Sequence, residues 1–541
     1  MRTNMAKPFL GPPPISFLDA EFTISNWTIH HLTVMSNDQS KEKMKRKGAF
    51  SLAMNKTQEK LTIQSYHQKQ KHTTFPMAET SSTARTSNFN NGSPIANLAP
   101  DHLFTILLLL PIESILSFAM TCKKFRYLAS CNSLWESICR RDWGPTAVDA
   151  LKSSFHGDED HQLLPWIRLY KQVSQLDSVC CYKLSDPDSD LLLPSPRASH
   201  SLNFVSGCLV LFGGGCEGGR HVDDTWAAYI GDNSRRMLKW QKIHSGIPSG
   251  RFGHTCVAID NYLVLFGGIN DRGNRHSDTW VGQVAFHENV GISLSWRLLD
   301  VGSIAPAPRG AHAACCISNR KMVIHGGIGW NGVRLGDTWV LELSENLCFG
   351  TWHEIVSHSS PPARSGHSLT CIGGTRTILF GGRGLGYDVL NDIWLLDVSE
   401  DYSKWVEIFY ELQSIPAGVS LPRVGHSATC ILGGRLLIHG GEDSQRHRKD
   451  DFWVLDISAI SLERMQPARL SSKRLLANMW RRVKAKGYKP KSRSFHRASV
   501  DNSGRYLYVY GGMVDGAVQP AESSGLGFDG ELFLVELVLQ L

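Results

Sequence analysis

Residues 251–280 read RFGHTCVAIDNYLVLFGGINDRGNRHSDTW. An Arg251-x-x-His254 opening leads into an apolar run, a polar pair at Asp260-Asn261, a second apolar run that stops at Gly267-Gly268, and a polar loop ending in Asp278-x-Trp280. Two short apolar runs around a pair of residues that tolerate positive φ predict a β-hairpin. Trp280 then heads a third run, TWVGQV, and Trp296 marks the start of a fourth. The stretch predicts one four-stranded antiparallel sheet.

The same signals recur along 179–541. Arg-x-x-His stands at Arg197/His200, Arg251/His254, Arg309/His312, Arg364/His367, Arg423/His426 and Arg493/His496. A Gly-Gly pair follows each His after 13 to 15 residues, at Gly213, Gly267, Gly326, Gly381, Gly440 and Gly511. In five copies a Trp lies 12 residues beyond the second Gly, and an Asp precedes that Trp by two positions. The sixth copy departs, with Phe533 in place of Trp after a longer Gly-rich loop, and the fifth is interrupted between its third and fourth strands. A sheet of this kind cannot bury both faces alone, so the copies must pack face to face around an axis, which is the β-propeller solution. The last copy ends after its third strand, while Cys181-Tyr-Lys-Leu184 ahead of the first aligns with Trp240-Gln-Lys-Ile243. Strand 179–184 is therefore expected to complete the C-terminal blade and close the ring.

Gly-Gly, Asp-x-Trp and the second Trp, repeated over this length, resemble the kelch repeat, which implies an all-β six-bladed propeller. The resemblance also implies that the motif arginines Arg197, Arg251, Arg309, Arg364, Arg423 and Arg493 can ring the channel mouth and hold an acidic peptide, because guanidinium grips carboxylate bidentately. The alternative left open is that each Arg and His ties its own blade together. Loops after Gly-Gly vary from copy to copy, and variable loops on a rigid scaffold are where recognition concentrates. Arg220 and His221; Arg272, Arg275 and His276; Trp330, Asn331 and Arg334; Arg383 and Tyr387; Arg446 and Arg448 are the candidates there.

Upstream, residues 98–144 read LAPDHLFTILLLLPIESILSFAMTCKKFRYLASCNSLWESICRRDWG. Leu103, Ile106, Leu107 and Leu110 fall at i, i+3, i+4 and i+7, and Ile115, Phe118, Ala119 and Cys122 repeat the spacing, so short amphipathic helices broken at Pro111 are predicted. So small a unit carries more apolar surface than its own core can use. Leu98-Ala-Pro100, Ile106-Leu107, Leu110-Pro111, Cys122-Lys-Lys-Phe125-Arg126, Leu134-Trp135 and Arg141-Asp142-Trp143 together resemble the F-box. That resemblance implies docking of 94–143 onto the Skp adaptor of a cullin-RING ubiquitin ligase, through Pro100, Leu103, Leu107, Leu110 and Pro111. Residues 144–178, with Trp166, Leu169 and Tyr170, are expected to form a helical linker.

Residues 1–93 are polar, show no sustained period, and are expected to be a disordered basic arm. They hold 12 of the 57 Lys and Arg and 6 of the 50 Asp and Glu, so the remainder is nearly balanced at 45 against 44. A second basic cluster, at 463–493, sets eleven basic residues against one acid, which leaves the rest of the folded surface net acidic and argues against a broad nucleic-acid-binding face. The longest largely apolar run, 103–110, is eight residues against the roughly 20 a membrane helix needs. Thirteen cysteines without a Cys-x-x-Cys pair suggest neither a disulfide framework nor a zinc ribbon, and the chain is expected in the nucleus or cytoplasm. No HExxH, P-loop or Gly-x-Ser-x-Gly occurs, so neither catalysis, a metal nor a cofactor is expected. The reading is a substrate receptor with an unidentified protein target, and its alternative a kelch scaffold without ubiquitin transfer.

Overall fold

The computed structural model describes residue 95 and residues 98–540 apart from 156–163, 185–192, 231–237, 244–246, 288–290, 319, 400–402, 411–420, 458–459, 461–478 and 516–525. The basic arm 1–93 and most of the basic insertion lie outside the described residues.

The chain divides into two units at Leu109/Leu110. The described part of the first is helix α1 (Pro100–Leu109), with Pro100 in the first turn, where its missing N–H has no intrahelical partner to lose. Leu103 and Leu107 are its buried residues.

The second unit opens with α2 (Ile112–Thr121), α3 (Lys123–Ala129) and α4 (Asn132–Trp143). Pro111 stands at the N-cap of α2, and Cys122 caps α3 by accepting from the Phe125 N–H. Ile115, Phe125, Leu134, Trp135 and Ile138 are buried, and the Trp135 indole donates to the Ala129 carbonyl at 2.7 Å. Helices α5 (Pro145–Phe155) and α6 (Trp166–Ser174) follow. Asn132 ties them back: its amide donates to the Leu164 carbonyl and accepts from the Trp166 N–H at the start of α6. Trp143 and Tyr170 stack at 5.5 Å, and the Tyr170 hydroxyl donates to Asp142.

Six antiparallel blades follow, the first made of Ser201–Val205, Cys208–Phe212, Thr225–Tyr229 and Trp240–Ile243. Hairpin turns fall at the expected pairs, with Ser206, Gly207, Asp260, Gly373, Gly374, Gly433, Gly434 and Gly504 at positive φ. One element differs from expectation. In the second blade the fourth strand is Gly291–Leu298, so Trp296 sits near its end, because the hairpin with Thr279–His287 runs out as far as His287 opposite Gly291.

Ser178–Lys183 pairs antiparallel with Leu532–Leu537, Val179 opposite Leu537, and supplies the outermost strand of the sixth blade. It also pairs in parallel with Trp480–Gly487, which joins the fifth and sixth blades in one sheet of eight strands. Between blades lie apolar layers such as Phe266, Trp352 and Met322, so the Trp of each fourth strand packs on its neighbour's second strand.

The repeat motif explains how blades join. The second Gly of each pair cannot carry a side chain: a Cβ on Gly214 would come within 2.8 Å of His200 Cβ, and φ there is +105°. Its N–H donates to the next repeat's Arg251 carbonyl at 2.9 Å, and the same bond recurs from Gly268 to Arg309 and from Gly512 back to Arg197.

A second ring lies nearer the axis. Ser199, Gly253, Ala311, Gly366, Gly425 and Phe495, each just before the motif His, all have positive φ. Ser199 N–H donates to Phe495 O, Gly253 to Ser199, Ala311 to Gly253, Gly366 to Ala311, Gly425 to Gly366, and Phe495 to Gly425, over 2.6 to 2.9 Å. This circle of main-chain hydrogen bonds closes on itself.

Helices α5 and α6 meet the propeller at the turn ends of its last blades. Gly433 is held open for Val173, since a Cβ there would approach Val173 Cγ1 to 2.4 Å. Gln172 and Gln540 exchange two hydrogen bonds, and the Arg505 guanidinium lies 4.4 Å over Phe155. Strands reverse between the turns and the Gly-Gly pairs, so the Gly-Gly face opens away from these helices.

Candidate functional site

The six motif arginines do not reach the channel mouth. Arg197, Arg251, Arg309, Arg364, Arg423 and Arg493 are at most 1% exposed. Arg197 grips Asp224 bidentately at 2.6 and 3.0 Å and donates to the Gly213 carbonyl, and Asp224 in turn accepts from the Trp226 indole at 2.7 Å. Arg251, Arg309, Arg364 and Arg423 repeat this with Asp278, Asp337, Asp392 and Asp451. In the sixth blade Glu531 takes the acid's place, and Arg493 lies over Phe533, the residue standing for Trp. Burial alone would raise the Asp224 and Asp278 carboxyls, but the paired guanidinium outweighs it and holds both below the ordinary range. The expectation that these arginines hold an acidic peptide is therefore corrected: their donors are spent inside each blade, linking its first strand to its third.

The motif histidines are equally internal. Burial, reinforced by the neighbouring arginines, lowers the basicity of His200, His254, His312 and His496 far enough to keep them neutral. His325 and His439, which replace Phe before their Gly-Gly pairs, are pushed down to about 3.

What does gather at the mouth comes from the variable loops. Arg275, Arg334, Tyr387, Arg446 and Arg448 line one cavity together with Phe252, Ile269, Ile328, Glu442, Phe495 and Met513. Arg334 lies 4.5 Å over the half-exposed Tyr387 ring and donates to Ser365. Glu442, buried, accepts from Arg383 and Ser494 and sits 3.6 Å from Arg448, which also pairs with Asp515. Arg275 bonds the Gly273 carbonyl, while its Nε is buried with no partner among the described residues. Among the described residues one carboxylate, Glu442, lines the cavity against five arginines, Arg275, Arg334, Arg446, Arg448 and Arg497, and the cavity is a cationic funnel with aromatic and aliphatic walls. Arg220, Arg272 and Trp330 are not among its lining residues.

Glu442, Phe495 and Arg497 are among the lining residues that motif reading missed. Their signal lay in the repeats: Phe495 occupies a position that is Ser, Gly or Ala elsewhere, and Arg497 one that is Ser, Thr or Ala.

In the helical region Pro100 and Pro111 are exposed and Leu110 is half-buried, but Leu103 and Leu107 are each 1% exposed. The buried pair marks the side of α1 that is turned from solvent. The apolar side chains that α1 offers to solvent are Leu109, at 82%, and Ile106. Helices α2 and α3 offer Leu116, Met120 and Tyr127, the last two at 79% and 85%.

Comparison with known proteins agrees with this architecture. Residues 100–141 match the F-box-like family, and 175–358 and 253–467 match the KLHDC2/KLHL20/DRC7 Kelch-repeats domain. An F-box/kelch-repeat protein of Arabidopsis thaliana is 60% identical over 461 residues, 84% of this chain and 94% of that one. Putative adagio-like protein 2 of Oryza sativa subsp. japonica is 31% identical over 65% of this chain, and Adagio protein 3 of Arabidopsis thaliana 29% identical over 65%. The chain spans about half the length of these two, 54% in each case. The chain belongs to the F-box/kelch-repeat family. That architecture is typical of non-catalytic adaptor proteins, and among the described residues no group of three or more His, Cys, Asp and Glu is arranged to hold a metal ion.

Proposed function

We propose that this chain is the substrate-recognition subunit of an SCF-type cullin-RING ubiquitin ligase. The F-box region implies a Skp-type adaptor as partner, and the exposed apolar side chains of α2 and α3 suit an adaptor surface, since monomers seldom leave such groups in water without use. Through the adaptor the chain joins the cullin. At the far end, the cationic funnel takes an acidic segment of the protein to be modified, with guanidinium-to-carboxylate bonds for orientation and the Phe252, Tyr387 and Phe495 rings for contact area. The chain does no covalent chemistry in this reading. It raises the effective concentration of the target at the transferring enzyme.

The observation that carries the reading is the pairing, in one chain, of an F-box region with a cationic funnel that opens away from helices α5 and α6. Residence in the nucleus, the cytoplasm or both is part of the proposal. Proximity labelling under proteasome inhibition, comparing the full chain with one lacking 97–143, tests it. Targets should accumulate ubiquitin only with the full chain. Identical ubiquitination of the labelled proteins in both would favour a scaffold that binds partners without promoting their modification.

A further inference from the structure

Five blades place a small residue directly after the motif His, namely Ser201, Thr255, Ala313, Ser368 and Ser427, and the sixth places Arg497. This side chain borders both the funnel and the channel below it. It shares the channel lining with His254, His312, His367 and His426, which stand on four other blades, so it lies close to the axis. Nε donates to the His200 carbonyl at 2.8 Å, and among the described residues no carboxylate pairs with the guanidinium. The guanidinium is half-buried and borders the channel, and a cation facing a channel with no counter-charge attracts an anion to it.

We propose that the channel holds a small inorganic anion, of halide or simple oxyanion size, against Arg497. Around it stand the hydroxyls of Thr255, Ser368 and Ser427, each bonded to a motif His at 2.7 to 2.9 Å, with Ser368 also donating to the Phe380 carbonyl at 3.4 Å, and each with hydrogen-bonding capacity left. The size limit comes from the circle of six hydrogen-bonded backbones. With neighbours spaced about as strands are, about 4.8 Å, the Cα atoms lie about 5 Å from the axis, and the main chain's own radius leaves an opening for an ion but not for a strand bearing side chains. The circle's own N–H groups are spent on one another, which makes Arg497 the donor an anion would find. This site lies at the junction of the funnel and the channel, where Arg497 borders both, and does not depend on the receptor reading.

The test uses the full chain in sodium gluconate, titrated with sodium bromide or phosphate at constant sodium, with thermal unfolding as readout. Binding to the native state alone raises Tm saturably, by roughly 4 °C at a hundredfold excess over Kd. Arg497→Met should abolish the saturable part and melt no lower than the native chain in gluconate, because it removes the lone charge; Arg497→Lys should keep part of the response. Crystals soaked in bromide should show an anomalous peak at Arg497. A response that does not saturate and is the same in Arg497→Met, or bromide found only on the outer surface, would overturn the proposal. Should Arg497→Met fail to fold, the bromide map of the native chain decides alone.

Discussion

The backbone N–H of Ser199 donates to the Phe495 carbonyl across 2.9 Å and thereby joins the first repeat to the sixth. Ser178–Lys183 makes the same junction at the rim, with Val179 fully buried opposite Leu537. A ring fastened at both radii should unfold as one body. Val179→Asp places a charge in that seam and should cost about 3 to 4 kcal/mol, read as a lower denaturant midpoint for the whole propeller. An unchanged midpoint would mean that the ring does not depend on its closing strand.

The Arg–Asp pairs belong to stability rather than recognition. Asp278→Ala strands Arg251 at 1% exposure and should cost about 3 to 5 kcal/mol. Removing both partners, as Arg251→Met with Asp278→Leu, should cost less than Asp278→Ala alone, which a double-mutant cycle in denaturant reads directly. If Asp278→Ala instead weakened target capture with stability intact, the corrected role would itself need revision.

Acid should loosen the fold in a defined window. His325 and His439 are held near 3, whereas an unfolded His titrates near 6.5. Their neutral burial therefore stabilises fully above about pH 6.5, and that stability falls away as pH drops toward 3, because the unfolded chain then binds protons the folded one refuses. Each such His contributes up to about 1.4 kcal/mol per pH unit. Unfolding free energy measured from pH 7 to 5 should fall steeply. His439→Phe restores the residue type that Phe212, Phe266 and Phe380 provide in other blades, and should reduce the slope by up to one proton.

Much of this was legible in the sequence, for a physical reason. A repeat that must stack on copies of itself has to keep its turn glycines, its Asp-x-Trp and its spacing, so self-comparison exposes blade count and strand order. What was overlooked in the helices and misassigned in the blades has another cause. Helical periodicity marks the stripe that is buried, so Leu103 and Leu107 were legible as apolar, whereas Met120 and Tyr127 lie off the stripe and drew no notice. Likewise, a recurring Arg can serve every blade's interior as readily as one shared mouth, and only geometry distinguishes them. The circle through Ser199 and Phe495 left no compositional trace beyond positions that tolerate positive φ. Arg497 was visible all along as a break in the repeats' own consensus.

The funnel should lose its target when its charge is removed while the fold stays intact. Arg446→Ala, on an exposed loop, should weaken binding of an acidic target peptide by about tenfold and leave Tm within about 1 °C. Fluorescence titration at two salt concentrations checks this, since a charge-driven contact weakens further as salt rises. Unaltered affinity would move recognition elsewhere on the propeller.

The receptor account rests first on the adaptor. Co-expression of the full chain with a Skp-type adaptor, followed by size-exclusion chromatography, should yield a stoichiometric complex. Met120→Asp combined with Tyr127→Asp should release the adaptor, while the propeller's unfolding midpoint stays where it was. A correctly folded chain that elutes without adaptor, or a double variant that still holds it, would contradict the account.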